Sequence, residues 1–225
     1  MSIRYIKMLR AMLDGSLTSI EVFFLTLIFA LPLALVIAMG RMSKNKILSC
    51  STNVFLMIIR GTPLMLQLLV VYFAPGLFFN WLRSFGYEVN FRWERFPAAI
   101  VALSVNYACY FAEIYRGGLE SIPNGQYEAC TVLGYSKGQS FFYIVLPQVV
   151  KRIIPAMGNE VITLVKDTAL VSVIGVAELL LVAKERQSAL FSFMPLFIAG
   201  VFYFVMNALV SFAFIKIEKK LSYYR

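Results

Sequence analysis

The sequence has no histidine, only three cysteines, and charged side chains at just 15% of its 225 residues. Without histidine there is no Ser/His/Asp triad, no His-containing zinc site and no imidazole proton relay. Cys50, Cys109 and Cys130 are odd in number and scattered through apolar or helical stretches, with no CxxC pair. They indicate neither a disulfide framework nor a metal site, and they read as small buried hydrophobes. The pattern G-x-x-x-x-G-K-[ST] is also missing, so ATP hydrolysis by a phosphate-binding loop of that type is excluded.

What the sequence does contain is apolar. Hydrophobic residues make up 60% of the chain, against roughly 45–50% in soluble domains, which also carry about 25% charged residues. So much apolar surface in a chain this short does not fit inside one globular core, so the expected class is an integral membrane protein. Lys and Arg number 21 against 12 Asp and Glu, a formal charge of +9. These basic residues are dispersed between apolar runs, a pattern that sets topology and meets anionic lipid headgroups rather than nucleic acid. Lys and Arg interrupt every short apolar stretch of residues 1–13, which argues against a cleavable signal peptide.

A hydrocarbon core about 30 Å thick needs roughly 20 apolar residues in a helix. Residues 22–40, 61–82 and 96–112 satisfy this, and a further span lies within 187–215. The interval 153–181 is as hydrophobic, yet it holds Glu160, Lys166, Asp167 and Glu178. It reads as a fourth span in chain order, facing protein or water rather than lipid. The expected fold class is therefore all-α and membrane-integral, a single transmembrane domain over 1–225 with five transmembrane helices and opposite-sided termini. With the C-terminus in the cytoplasm, the inner segments carry Arg41, Lys44, Lys46, Arg116, Lys137, Lys151, Arg152 and the basic 216–225 tail. The outer side keeps Arg83, Arg92 and Arg95, partly balanced by Glu88 and Glu94. Arg4, Lys7 and Arg10 break this positive-inside pattern and suggest a short amphipathic helix on the outer surface.

The one long polar connection, residues 116–152, reads as a cytoplasmic hairpin of two short helices. Ile122-Pro123-Asn124-Gly125 is a turn, and a helical run over 126–133 ends at Gly134, which suits the left-handed C′ position. Ser136 and Gln139 have capping-box spacing for a second helix, which Leu146-Pro147 is expected to bend or end.

Here the chain resembles a known family. Glu128-Ala129-Cys130, Gly134 and Ile144-Val145-Leu146-Pro147 look like the EAA loop of ABC importer permeases, with Cys130 where alanine is usual. The likeness widens to the polar amino-acid permeases through Arg60-Gly61-Thr62-Pro63-Leu64 and Ala112-Glu113-Ile114-Tyr115-Arg116-Gly117-Gly118. It continues in Ile122-Pro123-Asn124-Gly125-Gln126-Tyr127-Glu128, Leu146-Pro147-Gln148, Gly158-Asn159-Glu160 and Lys166-Asp167-Thr168. The resemblance implies a type I ABC importer permease in a bacterial inner membrane, with the 116–152 hairpin as its coupling element. Glu128, Ala129, Gly134, Leu146 and Pro147 would contact a separate ATPase dimer, which would hold the ATP and Mg; this chain itself would bind no cofactor. A second permease copy, identical or paralogous, and an extracytoplasmic amino-acid-binding protein would complete the assembly. Alternating access would move a polar amino acid inward.

Ionisable groups at bilayer depth are functional candidates by default. Glu160 and Asp167 are seven residues apart, two turns along one helical face, with Thr163 between them. Either carboxylate can receive a substrate ammonium, Asp167 first and Glu160 second. Donors such as Thr163, Thr168 or Asn106 can receive the substrate carboxylate. Lys166 lies about 100° around the helix from Asp167. It reads either as part of this site or as the counter-charge of a carboxylate such as Glu113. Glu113 and Arg116 themselves read as an anchor at the cytoplasmic end of their span. Two carboxylates favour a cationic amino acid slightly, while the resemblance extends these carboxylates to permeases for neutral and acidic amino acids too. The alternative is an ion-coupled secondary transporter using Asp167, Glu160 and Glu178; it requires an inverted repeat, which the sequence does not display.

Overall fold

The computed structural model describes residues 2–87, 91–92 and 94–221; Glu88 and the last four residues of the tail lie outside these. The elements in order are α1 (Ser2–Arg41), α2 (Lys46–Gly61), α3 (Leu64–Ser84), α4 (Arg95–Glu120), α5 (Asn124–Val132) and the single turn α6 (Lys137–Gln139). A π-helical segment (Ser140–Val145) leads into α7 (Leu146–Asp167), followed by a 3-10 segment (Thr168–Ile174), α8 (Leu179–Leu190) and α9 (Met194–Leu221). Among the described residues five helical stretches are long and apolar enough to cross a membrane: Arg4–Arg41, Leu64–Ser84, Arg95–Glu120, Lys137–Ile174 and Met194–Leu221. The architecture is the five-span, all-helical one expected.

Helix α4 is the hub. Ala98, Ala99, Ala102, Ala108 and Ala112 are buried on it, and Ala30, Ala34 and Ala38 are buried on α1. Both sets belong to one core. Lipid supplies no hydrophobic drive between helices, so small side chains that let backbones approach and gain dispersion contacts hold the pair together. Gly158 does the same for α7 against α9, since a Cβ there would sit 2.9 Å from Phe214 Cδ1.

Three boundaries differ from the sequence expectation. The outer amphipathic helix does not exist as a separate element: α1 is continuous from residue 2, about 60 Å long at 1.5 Å per residue. Its buried stripe runs unbroken at helical spacing through Met8, Met12, Ser16, Ser19, Phe23, Thr26 and Ala30, with Arg4, Lys7 and Arg10 on the exposed face. Gly15 removes the side chain where the start of α8 comes within 3.1 Å of its Cβ position. Packing against α8 and α9 keeps the extension upright.

The fourth span also ends earlier than expected, at Ile174, and Glu178 is no part of its carboxylate stripe. Glu178 is fully buried as the N-cap of α8, accepting from Leu180 N at 2.7 Å, Leu181 N at 2.8 Å and Tyr203 Oη at 2.6 Å. Burial pushes its pKa up, opposed by these donors. The 12-residue α8, too short to span a bilayer, then separates the fourth and fifth spans.

Lastly, Leu146-Pro147 ends nothing. The chain runs from Lys137 through the π segment into α7, with Pro147 in the first turn of α7. A proline there lacks an N–H and crowds the carbonyl four residues back. The π segment widens the register, with Leu146 N bonding to Phe141 O, and absorbs the proline without a break.

Candidate functional site

The chain between α2 and α3 is interrupted at Thr62 and Pro63. Beside this break lies a cavity of about 230 Å³ lined by Thr62, Leu64, Asn106, Tyr107, Tyr110, Glu160, Thr163 and Asp167. Three elements build it: the break, the middle of α4 and the last two turns of α7. Among the described residues the lining contains two carboxylates and no Lys or Arg. Asp167 is the last α-helical residue of α7, so the helix's negative dipole end adds to its charge. Tyr107 Oη donates to Asp167 Oδ2 at 2.7 Å. Glu160 accepts no hydrogen bond among the described residues. At the opposite polarity, α3 begins at Leu64 with no side-chain cap, and the amides of Leu64 and Met65 have no acceptor among the described residues. Negative groups and an uncapped positive helix end thus border one small space.

The break is held by amides. Asn106 Nδ2 donates to Gln67 Oε1 at 3.0 Å, and Gln67 Nε2 donates to Ile59 O at 2.7 Å and to Thr62 Oγ1 at 2.8 Å. This network ties α4 to both sides of the interruption and satisfies backbone groups that the missing helical turn exposes.

Of the residues singled out from sequence, Asp167, Glu160, Thr163 and Asn106 line the cavity. Thr163 already donates to Asn159 O at 3.0 Å. Lys166 and Thr168 do not join them. Lys166 is exposed on another face. Glu113, its suggested partner, is occupied by Arg116 at 2.8 Å and approached by Arg60 at 3.6 Å. Thr168 is buried, donates to Val165 O at 2.8 Å, and borders an apolar groove between α1, α7 and α9 instead. Thr62, Leu64, Tyr107 and Tyr110 were missed. The polar cluster Asn106-Tyr107 with Tyr110 in an otherwise apolar span was the available signal for two of them.

The hairpin end is built differently. Gly134 stands at φ +76° as the C′ residue of α5, with Tyr135 N bonding to Cys130 O at 3.0 Å and Gly134 N to Thr131 O at 3.1 Å. This double closure is a Schellman motif, reachable cheaply only by glycine. Ser136 and Gln139 form both bonds of the expected capping box. Glu128 and Ala129 are exposed on α5, Val132 and Leu133 project at 88% and 73% exposure, Pro147 is exposed and Leu146 half-buried. The base is fixed: Ile122 packs on Val145 and Val149, Gln148 Nε2 donates to Gln126 Oε1 at 3.0 Å, and Arg152 donates to Ser121 O. A rigid foot with an apolar sole therefore stands out from the bundle.

Residues 30–223 match the family described as the binding-protein-dependent transport system inner membrane component. The chain belongs to that family. It is 35% identical over 211 residues to the arginine transport system permease protein ArtQ of Bacillus subtilis (strain 168), covering 93% of this chain and 91% of that one. It is 36% identical over 195 residues to the nopaline transport system permease protein NocM of Agrobacterium fabrum, covering 86% and 80%. A crystal structure of an amino acid ABC transporter with histidines matches at TM-score 0.81 and 33% identity over 97% of each chain. The inward-facing methionine ABC transporter MetNI shares the fold, at TM-score 0.68 and 20% identity over 96% of each chain. The protein is thus a multi-pass inner-membrane component of a binding-protein-dependent transport system.

Proposed function

We propose that this permease imports a polar α-amino acid into the cytoplasm, with ATP hydrolysed on partner subunits, and that a cationic amino acid is its preferred substrate. The observation that carries the reading is the cavity beside the α2–α3 break, with two carboxylates, no basic side chain and an uncapped helix N-terminus. An α-amino acid entering it loses hydration from both an ammonium and a carboxylate. Asp167 and the C-terminal end of α7 suit the ammonium, and the amides opening α3 suit the carboxylate. Glu160, which no hydrogen bond engages and only the more distant charge of Arg60 influences, then suits a second positive charge on the substrate side chain.

Coupling is assigned to the rigid hairpin. Glu128, Ala129, Gly134, Leu146 and Pro147 with the apolar tip of α5 suit a groove on an ATPase subunit, which carries ATP and Mg. The hairpin is cytoplasmic and the C-terminus lies on its side, with the N-terminus outside, because the inner segments then carry most of the Lys and Arg. Two permease copies, two ATPase subunits and an external binding protein complete the transporter. Closure of the ATPases draws the hairpins together and turns the cavities outward, and hydrolysis resets them. The test is reconstitution of the whole assembly with its binding protein and a screen of the twenty amino acids for stimulated ATP hydrolysis. Arginine, lysine or a related cation should stimulate most; stimulation by an acidic amino acid alone would refute the substrate assignment.

A further inference from the structure

Two of the sequence motifs supply neither the cavity's charged groups nor the foot: the one opened by Arg60 and the one around Glu113 and Arg116. The fold brings them together. Arg60 lies in the last turn of α2, its guanidinium carbon 5.2 Å from the centroid of the Tyr110 ring, within cation–π reach. Its Nη1 stands 3.6 Å from Glu113 Oε2. Glu113 is already gripped by Arg116 through two bonds, Nε to Oε1 at 3.2 Å and Nη2 to Oε2 at 2.8 Å. Arg116 reaches on to Glu120, the last residue of α4 before the hairpin.

These contacts differ in what they join. Glu113, Arg116 and Glu120 all belong to α4, so their bonds travel with that helix. Arg60–Glu113 crosses from α2 to α4, is long, and leaves Arg60 at 42% side-chain exposure. Such a pair opens at small cost. It also sits at a decisive place: Thr62 and Leu64 just beyond Arg60 line the cavity, and so does Tyr110 beneath its guanidinium.

We propose that Arg60 is a positioning residue for transport. Its contacts with Tyr110 and Glu113 clamp the α2–α3 break onto α4 and so set the Thr62–Leu64 wall of the cavity. A movement of the hairpin carried along α4 then changes the cavity through this joint, while Arg60 itself touches no substrate. Arginine suits the role because its flat guanidinium stacks on the ring and keeps a charge for Glu113; lysine retains only the charge. The proposal rests on the import reading given above.

The experiment uses the complete reconstituted transporter with its binding protein, comparing the wild-type permease with Arg60→Gln and Arg60→Lys. In Arg60→Gln the Tm and basal ATP hydrolysis should stay at wild-type values. The amino acid concentration giving half-maximal stimulation should rise about fivefold, the loss of one partly exposed ion pair, and Arg60→Lys should recover part of it. Wild-type stimulation in Arg60→Gln overturns the proposal. So does a parallel fall in Tm, basal and stimulated hydrolysis, which marks a merely structural role, and so does a lysine variant no better than glutamine. If the wild-type assembly itself shows no amino-acid-stimulated hydrolysis, the import reading fails instead.

Discussion

Replacing Asp167 by asparagine tests the substrate site most sharply, because the change is nearly isosteric. Tyr107 Oη donates to only one oxygen of Asp167, at 2.7 Å, which leaves the other for a ligand. Asparagine can keep the tyrosine bond through its carbonyl oxygen but turns an N–H toward the incoming ammonium. The loss is a charge-assisted hydrogen bond, about 1.5–3 kcal/mol, or a roughly 10- to 150-fold weaker binding constant. The assays are equilibrium binding of the amino acid to the purified complex without binding protein, and ATP-driven uptake in proteoliposomes. Both should fall while the complex still assembles. A half-buried carboxylate also costs desolvation in the empty protein, so Tm should hold or rise slightly. Wild-type binding and uptake in Asp167→Asn would refute the assignment, and a collapse of Tm would show that the residue serves the fold.

Glu160→Gln should weaken binding of a cationic amino acid by about tenfold, the lower end of the same scale, and leave a neutral analogue nearly unaffected; competition binding compares the two. Glu128→Arg reverses the charge on an exposed helix without touching the core, so the protein should reach the membrane yet lose co-purification with the ATPase and stimulated hydrolysis. Gly158→Leu should cost about 1–3 kcal/mol by overpacking against Phe214, lowering Tm in detergent. Phe214→Ala in the same chain should restore part of it, since the ring is what the new side chain meets. Glu178→Leu leaves donors on α8, Ser19 and Tyr203 without an acceptor and should cost about 1–3 kcal/mol; Glu178→Gln, which keeps one acceptor oxygen, should cost about 1 kcal/mol. Thermal unfolding in detergent distinguishes the two.

The Gly134 turn and the Ser136–Gln139 box could be read from the chain because caps are local chemistry: a few adjacent residues satisfy one another's backbone groups. The five apolar spans were equally legible, because bilayer thickness sets a length that composition either meets or does not. The seven-residue spacing of Glu160 and Asp167 likewise follows from helical period alone. Four of their six companions at the cavity do not. Thr62, Leu64, Tyr107 and Tyr110 come from a helix break and from a neighbouring span, and no local pattern encodes which distant residues face each other. The same limit explains Glu178, whose charge looked intramembrane until α1 and α9 supplied Ser19 and Tyr203 as donors. It explains Lys166 too, which turned outward while Arg60 and Arg116 took Glu113. Hydropathy and caps are sums over neighbours in sequence, and so the amino-acid order settled the spans and the foot. Partnership among charges is decided by long-range packing of helices, which only the folded bundle supplies.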